Sequence, residues 1–219
     1  MRFFSVLKKM FSGKEGRFAR FMALMALLAG LSLVYGRNLL KYSHHFGLYD
    51  WNFFLYQHQY WHISLFSFKQ IPLWNPYACG GMSFIGRPDV SVLPFPIIFV
   101  TAFGTLAGLR IMAVFYIFFG MAGMFYVCRY LKIGIIPSLL AAVIFSMNGA
   151  LALRIMAGHL GWLSVAYLPF IFLFYLKSLK KFRYLFLCSL FLAFVAAEGS
   201  YILMFTVLFL SVFSALYAF

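Results

Sequence analysis

Acidic side chains are almost missing from this sequence: Glu15, Asp50, Asp89 and Glu198 are the only four in 219 residues. Charged residues of both signs make up 10% of the chain, and no long polar stretch occurs outside the N-terminus and one loop, which excludes a large soluble domain. No Gly-rich phosphate loop and no dinucleotide fingerprint is present, which disfavours a cytoplasmic nucleotide-sugar enzyme. Cysteine is limited to Cys79, Cys128 and Cys188. The topology argued below puts Cys79 across the membrane from the other two, so it pairs with neither, and Cys-based zinc sites are unsupported.

What remains is apolar: 65% of residues are hydrophobic and 22% aromatic, the composition of an integral membrane protein. The net charge of +14 would suggest nucleic acid in a soluble protein. Here the basic residues sit in short clusters between apolar runs, which makes them topology determinants and headgroup contacts and argues against a nucleic-acid partner. A helix needs about 20 apolar residues to cross the hydrocarbon core. Spans are expected near 18–36, 107–128, 136–153, 160–176, 184–197 and 200–219. The expected fold is therefore all-α, a polytopic helix bundle of about six spans. A basic segment, 1–17, precedes a single transmembrane domain, 18–219, with one large loop at 37–106. The sixth span has no cap, charge cluster or tail after it, so the chain reads as the N-terminal part of a longer protein.

Orientation follows the Lys/Arg bias. Arg2, Lys8, Lys9, Lys14, Arg17 and Arg20 lie in the first twenty residues, Arg129 and Lys132 follow the second span, and Lys177, Lys180, Lys181 and Arg183 follow the fourth, which places twelve of the 18 basic residues and the N-terminus on the cytoplasmic side. Arg37 and Lys41, just past the first span, argue the other way and are outvoted. The first apolar run is too long for a signal-peptide h-region and lacks a small-x-small cleavage site, so it reads as a signal anchor. Loop 37–106 and the turns near 154–160 and 198–199 then share the outer face, and with them Asp50, Asp89 and Glu198.

Residues 49–69 mix aromatics with Gln, His and Ser at helical spacing, a pattern for a helix lying in the interface. The following stretch is dense in Pro and Gly and cannot be regular helix, so it is expected to cover the bundle and shape a pocket. A short apolar piece at 95–104 re-enters the interface. An outer-loop Asp, a Gln one or two turns later, a Pro-Leu-Trp-Asn-Pro element and a Gly-Gly turn (Asp50, Gln57, Pro72 to Pro76, Gly80 and Gly81) resemble the YfhO-like bacterial membrane proteins, relatives of the C-type integral-membrane glycosyltransferases. The resemblance runs through Arg129 to Lys132, Ser146-Met147-Asn148-Gly149 and Ala157-Gly158-His159-Leu160, and covers most of residues 45–175. Those proteins have roughly twice as many spans. The resemblance implies a bacterial plasma-membrane enzyme that transfers a sugar from a polyprenyl-phosphate donor to an acceptor on the outer side.

That reaction needs a carboxylate to take the acceptor proton and positive charge, from Arg, Lys, His or a divalent cation, on the leaving phosphate. Asp50 is the expected base; its other reading is the N-cap of the interfacial helix. Gln57 and Ser64 follow at intervals of seven on one stripe, lining a pocket or facing water. Asp89 is a second acid, a metal ligand or the salt-bridge partner of Arg87. Glu198, at or near membrane depth, suggests function, with a wet turn at the interface as its alternative. Arg154 and His159, with Arg87, are the candidate phosphate ligands, against headgroup snorkelling for Arg154 and a structural role for His159. Trp74 and Asn75 of the Pro-Leu-Trp-Asn-Pro element join Gln57 as candidate substrate contacts through the resemblance. His58 and His62 are one turn apart but lack the Glu of H-E-x-x-H, so no metal site is expected there. A transporter would show broken spans in repeat-related positions, whereas the irregular segment expected here lies outside the bundle. A non-catalytic transport or assembly subunit for a cell-envelope polymer would share the fold and lack a working base.

Overall fold

A computed structural model describes residues 14–42, 49–84, 97–198 and 201–218. The protein is an all-α bundle, with helices α1 (Lys14–Tyr35), α2 (Arg37–Lys41), α3 (Trp51–Phe66), α4 (Ile97–Phe103), α5 (Thr105–Tyr130), α6 (Ile135–Ser146), α7 (Gly149–Met156), α8 (Leu168–Ser178), α9 (Tyr184–Ala197) and α10 (Ile202–Ala218). A 3-10 helix, Leu160–Tyr167, joins α7 to α8, and two short strands, β1 (Trp74–Asn75) and β2 (Met82–Ser83), form a hairpin after α3. Among the described residues, four stretches are long and apolar enough to cross a membrane: Phe18–Tyr35, Thr105–Tyr130, Ile135–Met156 and Leu160–Ser178, and two shorter apolar helices follow. This is a membrane protein.

α5 is the axis. Two-thirds of its apolar window (67%) is buried inside the protein, against 11% for α1, so α5 packs on neighbours all round while α1 offers Phe18, Met22, Leu27, Leu33 and Val34 outward. Small residues let the neighbours close in, as in other membrane bundles. A Cβ on Gly120 would lie 2.7 Å from Ser146 Oγ on α6, and one on Gly123 would lie 2.8 Å from the Phe170 ring on α8. Gly36 against Val114 and Phe21 against Tyr126 show α1 running antiparallel to α5. α8 and α9 interlock through the stacked rings of Phe170, Phe191 and Phe174.

Two of the six expected spans are not continuous helices. The third is interrupted at Met147 and Asn148, where Asn148 Nδ2 donates to Phe145 O (2.6 Å) and Leu151 N donates to Asn148 Oδ1 (2.8 Å). One side chain thus serves the loose carbonyls of α6 and the loose amides of α7, which is what makes a break tolerable in an apolar setting. The fourth starts as the 3-10 helix and becomes α-helical at Leu168–Pro169. The irregular backbone expected only in the loop is therefore also inside the bundle.

Helices occur where the interfacial helix and the re-entrant piece were expected, as α3 and α4. α3 is more enclosed than an interfacial helix requires, since Trp51, Leu55, Gln57, His58, Tyr60, Trp61 and Ser64 are all buried. Of the Pro/Gly-rich stretch, the described part folds as the hairpin. Tyr60 and Trp61 pack with Phe84, and Tyr60 Oη donates to Trp74 O (2.5 Å). Cys79, Gly80 and Gly81 turn the chain with positive φ. At Gly81 a Cβ would lie 2.7 Å from the Trp74 indole, so only glycine admits that ring.

Candidate functional site

The end of the bundle that carries the α1 C-terminus also receives the start of α3 and the end of α7, and these two helix ends are locked together. Asp50 N donates to Ala157 O (3.1 Å) and Trp51 Nε1 donates to Ile155 O (2.8 Å). Between them sits Gly158, with φ +79, where an added Cβ would lie 2.2 Å from Trp51 N and 2.8 Å from Asp50 C. A left-handed glycine at the end of α7 is thus required twice, by its φ and by the backbone pressed against it.

This clamp brings Asp50 and the residue after Gly158 face to face. His159 Nε2 lies 3.0 Å from Asp50 Oδ2, and His159 Nδ1 lies 2.9 Å from Arg154 Nη1. The guanidinium can only donate, so Nδ1 is the acceptor, the imidazole carries its proton on Nε2, and that N–H donates to the carboxylate. Arg154 is itself braced, with its Cζ 4.2 Å from the Trp162 ring centroid. The result is a directed chain, Arg154 to His159 to Asp50, ending on a carboxylate whose side chain is 55% exposed. Asp50 makes no side-chain cap bond to α3, although it occupies the N-cap position. Its carboxylate is committed to the histidine and to whatever approaches from outside, and the capping alternative is not the one the geometry takes.

Arg110 is a functional candidate that sequence reasoning passed over. It lies inside α5, is 5% exposed, and holds its Cζ 5.0 Å from the Trp51 ring. It also lines a cavity of about 330 Å³ with Tyr35, Asn38, Leu39, Tyr42, Ala152, Ile155 and Met156. The available signal was one arginine in an otherwise uncharged apolar run, an expensive placement in a membrane helix.

The remaining candidates fall elsewhere. Gln57 and Ser64 are buried on α3, so their stripe does not face water. Trp74 is exposed on the hairpin, its ring over Gly81, whereas Asn75 is fully buried. Asn75 Nδ2 donates to Tyr56 Oη (2.6 Å) and Tyr77 N donates to Asn75 Oδ1 (3.0 Å), so its amide ties the hairpin to α3. Replacing Asn75 with Ala removes two hydrogen bonds worth about 0.5–1.5 kcal/mol each and is expected to loosen residues 72–84, read as faster amide exchange there with α5 unchanged.

Glu198 is not at a wet turn. It follows α9, whose 14 residues reach only about 21 Å and stop short of a 30 Å hydrocarbon core. Its side chain is 4% exposed and accepts from Tyr167 Oη (3.0 Å) and from Tyr116 Oη, with Phe119, Phe191 and Phe194 around the Tyr167 ring. The 3-10 rise of about 2 Å per residue separates Tyr167 from His159 by about 16 Å, so Glu198 heads a second polar cluster apart from Asp50. Arg87 and Asp89 lie outside the described residues.

His58 and His62 do not act as a pair. His58 Nδ1 lies 2.9 Å from Phe54 O, and the His62 ring packs on Phe66 at 4.6 Å. Among the described residues no group of three or more His, Cys, Asp or Glu side chains comes together. Complete burial outweighs the Phe54 bond and pushes the His58 imidazole down from 6.5 to about 4. Between those values the unfolded segment binds a proton that the folded one refuses, so α3 keeps its full stability above pH 6.5 and loses it as pH falls to about 4. The loss is expected to approach about 3 kcal/mol, to show as faster exchange of α3 amides, and to vanish in His58→Leu.

Comparison with protein-family models, with curated proteins and with solved structures returns no match for this chain.

Proposed function

We propose that the protein is a membrane glycosyltransferase that moves a sugar from a polyprenyl-phosphate donor to an acceptor hydroxyl on the outer face of a bacterial plasma membrane, with Asp50 as general base. The observation that carries this reading is the chain Arg154–His159–Asp50, which delivers a half-exposed carboxylate, held from behind by a histidine N–H, to one end of a lipid-embedded bundle. Such an arrangement suits proton abstraction: the carboxylate is oriented through one oxygen and keeps acceptor capacity for an incoming hydroxyl. In the reaction, the acceptor oxygen bonds to the anomeric carbon as its proton passes to Asp50, and the bond to the polyprenyl phosphate breaks with its electrons leaving on that phosphate.

The Lys/Arg distribution supports placing this end outside and the N-terminus in the cytoplasm, since Arg129, Lys132, Lys177, Lys180, Lys181 and Arg183 all fall at the opposite end. The donor reaches the site through the bilayer, which fits a protein whose long helices expose apolar faces. The broken third span and the 3-10 start of the fourth favour, as a second reading, a transport or assembly subunit for a cell-envelope polymer. These breaks are consecutive in sequence, not in repeat-related positions, which weighs against transport. Profiling lipid-linked sugars and surface glycans in a strain deleted for the gene tests the proposal. Accumulation of one sugar-loaded polyprenyl phosphate together with loss of that sugar from the surface is the expected result, and an unchanged glycan structure with altered export supports the second reading.

A further inference from the structure

The cavity between α2 and α7 has a cation for its floor. Arg110 begins about 8 Å below the start of α5, at the rise of an α-helix, and is 5% exposed, as is Ile155 beside it. The mouth is formed by residues that are open: Tyr35 (39%), Tyr42 (49%) and Met156 (60%). Tyrosines at a membrane protein's rim mark headgroup level, so the cavity runs from that level down to a buried guanidinium. Its walls mix apolar Leu39, Ala152 and Ile155 with the amide of Asn38.

Two exposed cations flank the mouth. Arg37 and Lys41 stand on the same short helix as Asn38 and Leu39, and Lys41 Nζ lies 5.2 Å from the Tyr42 ring. These two residues contradict the positive-inside bias. On the side proposed as outer they have no topological use, and a headgroup phosphate gives them one.

We propose that this cavity is the seat of a lipid-borne phosphate, with Arg110 as its buried ligand, Asn38 as a neutral donor, and Arg37 and Lys41 drawing the anion to the mouth. The occupant is a lipid rather than free phosphate, because the floor is reached past Leu39, Ile155 and Met156, surfaces suited to a hydrocarbon chain lying alongside. Trp51 links this seat to the base. Its ring faces Arg110, its indole N–H holds Ile155 O, and its backbone neighbour is Asp50. The seat at Arg110 and the carboxylate of Asp50 are thus held by the same segment, the start of α3 locked on the end of α7. The assignment deepens the transferase reading and rests on it for the identity of the lipid, while the phosphate seat is tested without turnover.

The test is equilibrium binding to the whole chain in nanodiscs of zwitterionic lipid, read by native mass spectrometry. The probes are a polyprenyl monophosphate, the matching polyprenol, and inorganic phosphate as competitor. The native protein is expected to hold the monophosphate at least about tenfold more tightly than the alcohol, from the charge-assisted bonds. Arg110→Gln removes that difference, and Arg110→Lys restores part of it. Ala152→Phe fills the cavity and weakens both lipids with the arginine still present, which keeps the test valid if Arg110→Gln fails to fold. Equal binding by the native protein and Arg110→Gln, or by the native protein and Ala152→Phe, overturns the assignment. Full displacement by millimolar inorganic phosphate overturns the lipid-borne occupant. Loss of phosphate preference in Arg110→Gln together with an unchanged glycan profile in the deletion strain sinks the transferase reading and leaves the phosphate seat standing.

Discussion

Replacing Asp50 with Asn is expected to lower sugar transfer by about 10²–10⁴-fold while leaving the bundle as stable as before. Asn is isosteric and serves an N-cap as well as Asp does, so any role in starting α3 survives. It can still accept from His159 Nε2, so the link to α7 survives as well. What disappears is the capacity to take a proton. The comparison with His159→Gln separates base from brace. Loss of the imidazole removes the orienting N–H and frees Arg154, and it should cost less than loss of the carboxylate, in the manner of a positioning residue. Equal, small losses in both variants would mean that the chain of contacts is structural and that the chemistry lies elsewhere. Transfer is measured as the ratio of sugar-loaded polyprenyl phosphate to glycosylated acceptor in membranes from complemented cells.

The second large effect falls on a residue with no reactive group. Gly158→Val is expected to abolish transfer and to destabilise the region where α3 meets α7 by roughly 3 kcal/mol, the sum of a left-handed φ for a β-branched residue and an overpacked contact. The obstacle is rigid, since the atoms a Cβ would strike are Trp51 N at 2.2 Å and Asp50 C at 2.8 Å, both backbone. Relief requires α3 to retreat, which breaks the Asp50 N to Ala157 O bond and parts His159 from the carboxylate. Gly161, the second residue of the 3-10 helix, has open space around its Cβ position, and Gly161→Ala is the matched control with little expected change. Proteolysis or amide exchange around residues 49–54 and 155–160 distinguishes local displacement from global misfolding.

The long helices were legible from apolar run lengths, because the bilayer sets a length that few alternatives satisfy, and α3 from the helical spacing of its aromatic and polar residues. The break at Asn148 was not, since one polar residue can sit unnoticed in an apolar run, and only its two backbone bonds show that it ends one helix and starts the next. The hairpin escaped for a similar reason: two-residue strands leave no alternation to read. Asp50, Arg154 and His159 each stood out by charge in an apolar chain, but their convergence depends on contacts spanning more than a hundred residues and on the φ of Gly158. For Glu198 the burial was one of the two readings open, but its tyrosine partners were not legible, because they come from α5 and the 3-10 helix, far away in the chain. Arg110 carries the lesson for the site. Counting acids led to Asp50, and a similar count of cations inside spans would have led to the cavity at Arg110.

The most direct measurement is made in one strain deleted for the gene and complemented by either the native protein or Asp50→Asn, with the pool of each sugar-loaded polyprenyl phosphate quantified alongside the surface glycan. The account predicts that native protein restores both, whereas Asp50→Asn is expressed and folded yet leaves one loaded lipid in excess and its sugar missing from the surface. Full restoration by Asp50→Asn would contradict it, and would return Asp50 to the beginning of α3 as a structural residue.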